Sequence, residues 1–151
     1  MSKNRFALVA AIAALGVVAQ LAQGKQKGSP EVNPAALQFA RDLITQGHFV
    51  DDHKGAWAAH KSSRTTENEF IRAHGFDEYA KWHLAIDARH GEGTKAHYKF
   101  PFGDFANVHR CGLLAVKARA HEYGYAEIEA AATQLLALIE SARPRSQKRV
   151  D

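Results

Sequence analysis

Residues 94–110, TKAHYKFPFGDFANVHR, constrain the fold more than any other stretch of this chain. Ala96, Tyr98 and Phe100 alternate as in a half-buried strand, Pro101 and Gly103 supply a turn, and Asp104 is placed to cap a helix. The chain is therefore expected to pass from strand to helix here.

The elements on either side follow from period and punctuation. Asn33 before Pro34 reads as an N-cap with proline at the first helical position, starting a helix with Leu37, Ala40, Leu43 and Ile44 on one face and Gly47 at its end. Residues 48–63 lack a period and read as an ordered loop pinned by Phe49 and Trp57. Thr66 and Glu69 form a capping box for a short helix that Gly75 closes, and Asp77 caps a further turn. A strand near residues 84–87 is expected to pair with residues 96–100 across a loop holding Gly91 and Gly93. Two helices follow, about 105–122 and 126–141. The first carries Val108, Cys111, Leu114, Ala115 and Ala118 on one face; the second carries Ile128, Ala131, Ala132, Leu135, Leu138 and Ile139. Gly124 separates them, so they form an antiparallel pair. The expected fold is α+β and mainly helical, with four or five helices, one short β-hairpin and a C-terminal antiparallel helix pair.

Residues 34–142 make a single globular domain. Before it lie residues 1–24, in which Lys3 and Arg5 precede the apolar run 6–21, and a linker at 25–33. The apolar run reads as a signal peptide or membrane anchor, although its length is marginal for ~30 Å of hydrocarbon. Membrane anchoring or export is thus the expected location, and a cytoplasmic one the alternative. Residues 143–151 form a basic tail.

The net charge of +4 suggests nucleic acid until it is mapped. Residues 35–142 hold 12 Lys and Arg against 14 Asp and Glu, or −2, while the flanks hold 8 against 2, or +6. A duplex-reading domain carries its basic residues on the folded face that meets phosphate. Specific nucleic-acid recognition is therefore not expected, and weak binding through the basic tails is a subordinate reading.

The nine histidines, all between His48 and His121, raise the question of a metal. No H-E-x-x-H or C-x-x-C pattern occurs, and His109 and Cys111 stand two apart on an expected helix, pointing to different faces. The sequence thus supports neither a metal nor a cofactor. Cys111, the one cysteine, lies on an apolar face and reads as an inert core residue. The favoured ligand-binding set is Lys99, Gly103, His109 and Arg110, cations and a turn around a helix start that would suit an acidic or phosphate-bearing ligand or protein surface. The leading function is therefore a non-enzymatic binding module. A small hydrolase using His83, Asp87, Asp104 and His109 is the alternative, if the fold brings those four together.

The strings GFDEYAKWHLAID, TKAHYKFPFGDFANVHRCGLLAVKARA and IEAAATQLL resemble a family of small uncharacterised bacterial proteins with a KYKFPYGDF-x-x-VHRC-type centre. A looser form, W-H-L-A-x-D followed by T-K-x-x-Y-K-x-P, resembles segments of phage head-maturation-type proteins. The resemblance covers about residues 34–139. It implies that Lys95, Tyr98, Lys99, Pro101, Gly103, Asp104, His109 and Arg110 act as one unit, and implies no reaction.

Overall fold

In the computed structural model, residues 28–143 are described. The expected signal peptide or anchor at 1–24, the first three residues of the linker (25–27), and the tail beyond Arg143 lie outside them; the rest of the expected linker holds a strand and a helix cap. Among the described residues no helix is long and apolar enough to cross a membrane.

Strand β1 (Glu31–Val32) leads into α1 (Pro34–Thr45), whose start is fixed as expected: the Asn33 side chain accepts the Ala36 N–H at 3.3 Å. The Asn33 amide also donates to the Ala80 and His83 carbonyls, tying the cap to the sheet. Gly47, at φ 84, lets the chain leave α1 and enter β2 (Phe49–Val50). The segment read as a plain loop thus holds a short strand and a single turn of helix, α2 (Trp57–His60).

Helix α3 (Arg64–Ala80) begins earlier than the capping box suggested. Its N-cap is Ser63, whose Oγ accepts the Thr66 N–H at 3.1 Å. Serine wins because its hydroxyl can fold back on the third residue, which leaves Thr66 and Glu69 inside the helix. Gly75, at φ 82 and ψ 175, breaks the helical path as expected, and a second short helical piece follows it.

β3 (His83–Ile86) pairs antiparallel with β4 (Tyr98–Pro101), His83 opposite Pro101 and Ile86 opposite Tyr98, with a 3-10 turn at Lys95–His97 before β4. This is the expected hairpin, and β1 extends it on the other side of β3 into a three-stranded sheet.

The helix expected from residue 105 starts at Arg110 instead. The Asp104 carboxylate accepts the Ala106 and Asn107 N–H groups at 3.0 and 2.7 Å, closing a tight turn, and Phe105 at φ 69 is incompatible with a right-handed helix. Val108–His109 then forms β5, parallel to β2, with Val50 opposite His109. Helix α4 (Arg110–Glu122) follows directly and packs antiparallel on α5 (Ala126–Ala142). Moving the start of α4 rotates its buried face to Cys111, Leu113, Val116 and Ala120, leaving Ala118 exposed. In α5 the expected face is observed: Ile128, Ala131, Ala132, Leu135 and Ile139 are buried. Alanines on both helices permit close approach, and wholly buried Leu135 and Ile139 each contribute about 2 kcal/mol. α1, α4 and α5 together cover the three-stranded sheet.

Two glycines are required by contact. A Cβ on Gly103 would lie 2.6 Å from the Trp82 ring and from the Asn107 carbonyl oxygen. On Gly112 it would lie 2.9 Å from the Phe102 carbonyl oxygen and 3.0 Å from Trp57.

Candidate metal centre

The parallel pairing of β2 with β5 creates the site. Its register sets Val50 beside His109, so two residues further on Asp52 arrives beside Cys111 at the start of α4. Asp52 Oδ1 accepts the Cys111 backbone N–H at 2.6 Å, a carboxylate on the N-terminus of a helix. Asp52 Oδ2 accepts from His109 Nδ1 at 2.7 Å, from His60 Nδ1 at 2.7 Å and from the Cys111 thiol at 3.0 Å. Cys111 Sγ also lies 3.6 Å from His60 Nδ1. One ligand atom from each of Asp52, His60, His109 and Cys111 falls within 4.8 Å of all the others.

Burial differs around the cluster. The Asp52 and His109 side chains are each 7% exposed, while His60 is 37% exposed and forms the outer wall. Trp57, one turn before His60, covers Gly112 and lies 6.2 Å from the His109 ring. On the far side of His109, Nε2 is 3.1 Å from Asp104 Oδ2. That contact is off the N–H axis, so the buried Nε2 makes an ion-pair contact without a well-formed hydrogen bond.

Electrostatics follow this geometry. Burial pushes the Asp52 carboxyl up, but hydrogen bonds from Cys111, His109 and His60 outweigh it and bring it down to about 2. Burial would lower His109, yet Asp52 and Asp104 outweigh it and raise the imidazole above its ordinary value. For Cys111, burial and then the Asp52 carboxylate both act upward, and the thiol is pushed to about 12. Without a cation the thiol is a protonated donor.

The residues singled out from sequence scatter. Lys99 sits in β4 facing a separate cleft, Gly103 packs under Trp82, and Arg110 reaches Asp51 at 3.7 Å and the Asp52 carbonyl at 3.3 Å. The helix N-terminus those residues were expected to surround lies at Arg110, and Asp52 already takes its Cys111 N–H. Of the acid–base set, His109 and Asp104 meet. His83 is buried with Nδ1 2.9 Å from the Tyr79 carbonyl oxygen, and Asp87 is held by Arg89 at 2.7 and 2.8 Å. Among the described residues no hydrogen bond links either of those two to His109.

Sequence reasoning passed over Asp52 and His60 and set Cys111 aside. The two-residue spacing of His109 and Cys111 divides faces only on a continuous helix. Here His109 is extended, at φ −100 and ψ 125, and Cys111 opens the helix, so both turn to Asp52. An H-x-C pair at a strand–helix junction, downstream of an aspartate and a histidine eight residues apart, was the available signal.

Compared with family models, curated proteins and solved structures, the chain matches none. The likeness to a VHRC-type bacterial family therefore rests on the quoted residues alone.

Proposed function

We propose that this protein is a metal-binding module in which Asp52, His60, His109 and Cys111 hold a zinc-type ion. The observation that carries this reading is the convergence of two imidazoles, a thiol and a carboxylate within 4.8 Å of one another. A mixed N, S and O donor set suits a borderline ion of tetrahedral preference, with ligand–ligand edges of about 3.3–3.7 Å. The Cys111–His60 separation of 3.6 Å already matches such an edge. The Asp52 contacts, at 2.7 to 3.0 Å, need only open by roughly half an ångström to reach that range.

The ion's role in this reading is structural. α2 has no fully buried residue and meets α4 through the half-buried Trp57, so an ion held by Asp52 and His60 would add a second tie between the segment and α4. Four protein ligands would close the coordination shell, and Asp104 behind His109 would orient the imidazole from outside. A cysteine-nucleophile enzyme is disfavoured by the same geometry: Cys111 is 1% exposed and its thiol is pushed to about 12. A bound cation reverses that balance, because a coordinating thiol gives up its proton.

The test is metal retention by the full chain. Purified protein loaded with zinc or cobalt(II) and dialysed should keep a single ion per chain, and the cobalt form should show a thiolate charge-transfer band. Cys111→Ser should remove that band, and His60→Ala should release the ion. Protein that emerges from dialysis free of metal would refute the proposal.

A further inference from the structure

On the other side of the hairpin, β4 and the α4–α5 turn enclose an open cleft of about 330 Å³. Lys99, Arg89 and His90 line one part of it, and Phe100, Tyr123 and Tyr125 another. It shares none of the four metal-site residues.

The charge of the cleft is unbalanced. Its carboxylate, Asp87, is 1% exposed and fully engaged: Arg89 grips it through Nε at 2.8 Å and a terminal nitrogen at 2.7 Å, and Arg89 also donates its backbone N–H at 3.2 Å. That pairing neutralises Asp87 and fixes Arg89 as a positioned, 60% exposed guanidinium. Lys99 is half-buried, and among the described residues it has no carboxylate partner. A half-buried ammonium has lost part of its hydration with nothing to offset the loss, which an anion in the cleft would supply. His90 Nε2 lies 3.7 Å from Asp87 Oδ2, on the same side of the cleft.

The opposite wall is aromatic and open to solvent. Tyr123 is 57% exposed, an unusual position for so large a ring, and stacks on Tyr125 at 5.8 Å and 28°. Phe100 meets Tyr125 edge-on at 6.1 Å. Phe100 holds φ 63 inside a strand, a conformation that costs a non-glycine residue energy. A half-exposed tyrosine pair, with Arg119 5.6 Å from the Tyr123 ring centroid, beside the unpaired Lys99 and the positioned Arg89 matches a ligand with a flat ring at one end and an anion at the other. The volume suits a molecule of about mononucleotide size.

We infer that this cleft binds a small aromatic phosphate of the nucleoside-monophosphate kind, its phosphate on Lys99 and Arg89 and its ring against the Tyr123–Tyr125 wall. The same chemistry occurs in a free nucleotide and at the phosphorylated end of a single strand, and the test separates the two.

Isothermal titration of the full chain with adenosine monophosphate should show binding tighter than about 1 mM. Inorganic phosphate and adenosine should each bind at least about tenfold more weakly, since each keeps half of the contacts. Lys99→Ala and Tyr123→Ala should each weaken the nucleotide about tenfold or more, with unchanged melting temperature and unchanged phosphate-independent properties. A 5′-phosphorylated oligoadenylate that binds more tightly, with the same dependence on Lys99 and Tyr123, would support the site and identify a strand end as its source. No binding of adenosine monophosphate at about 1 mM, or equal binding of inorganic phosphate, would overturn the proposal, as would indifference to Lys99→Ala.

Discussion

Asp52 and His109, 57 residues apart in the chain, meet at 2.7 Å with both side chains 7% exposed. The contact joins a segment whose apolar anchors are the half-buried Phe49 and Trp57 to the junction of β5 and α4. It makes Asp52 the acceptor on which three buried or half-buried donors depend, besides the backbone N–H of Cys111.

Removing that acceptor should therefore cost more than a hydrogen bond. Asp52→Ala strands the Cys111 N–H and the His109 Nδ1 in a dry site, and a buried group left unpaired costs its full desolvation. We expect a loss of about 3 kcal/mol in metal-free protein, read as a fall in melting temperature of roughly 10 °C. Asp52→Asn, which keeps one carbonyl oxygen, should lose less. A fall of less than about 2 °C for the alanine variant would mean that the cluster does not hold the segment.

Three groups contribute with different signs to the pH dependence of the metal-free protein, beside Asp87 and Asp104, whose carboxyls are both lowered and add to the acid limb. His83 is buried and its imidazole is lowered by that burial to about 4 from 6.5, so as pH falls between those values the unfolded chain takes a proton that the folded chain refuses. Stability is lost over that window, by about 3 kcal/mol in all. His109 is raised, so its contribution is complete below 6.5 and is lost as pH rises through its folded value. Asp52, lowered to about 2 from 3.8, contributes above 3.8 and loses that contribution as pH falls toward about 2. Urea unfolding with chelator present should thus give greatest stability near pH 6.5, with a decline on both sides. His83→Gln cannot titrate and should flatten the acid limb; an unchanged limb would assign it to other groups.

Gly112 tests the lid over the site. Its missing side chain lets Trp57 and the Phe102 carbonyl close on the first turn of α4 at 3.0 and 2.9 Å from where a Cβ would stand. Alanine is the better helix former, so propensity alone forecasts a gain of up to about 1 kcal/mol. Contact should reverse the sign, because the carbonyl is backbone and can move little. Gly112→Ala should lower the melting temperature by several degrees and raise the exposure of Trp57, seen as a red shift in its fluorescence. A more stable variant would show that the turn yields easily.

What could be read from sequence divides along physical lines. Elements set by local signals were legible: Asn33–Pro34 starts α1, Gly75 breaks α3, and α5 buries most of the face its period marks; the hairpin also forms, although Ala96 lies in the 3-10 turn before β4 and Phe100 takes φ 63. The start of α4 was not, because Asp104 caps a helix or closes a turn with the same oxygen, and the choice depended on Phe105 taking φ 69 and on Val108 finding β2 as a partner. The candidate metal centre fell with that misplacement. Once residue 109 is placed in a helix, His109 and Cys111 diverge, and nothing local brings Asp52 or His60 to them. Parallel pairing between residues 59 apart carries no sequence signature, whereas the charges singled out at Lys99 and Arg110 were visible but belong to different surfaces.

Asp104 offers the most discriminating test of the metal centre, since it would not touch the ion. Its carboxylate stands 3.1 Å from His109 Nε2, opposite the nitrogen that faces the cluster, and accepts two backbone N–H groups that hold it in place. With an ion on the other nitrogen, a small turn of the ring would let Nε2–H donate to Asp104, which would hold the tautomer and make the ligating nitrogen a better donor to the cation. Asp104→Asn retains an oxygen for the turn and removes the charge. The metal affinity should fall about 10- to 100-fold while the number of ions bound stays the same and the metal-free melting temperature changes little. Competition with a chromophoric chelator measures the affinity directly. An unaltered affinity would show that His109 is positioned by packing under Trp57 alone, and that Asp104 serves only to close its turn.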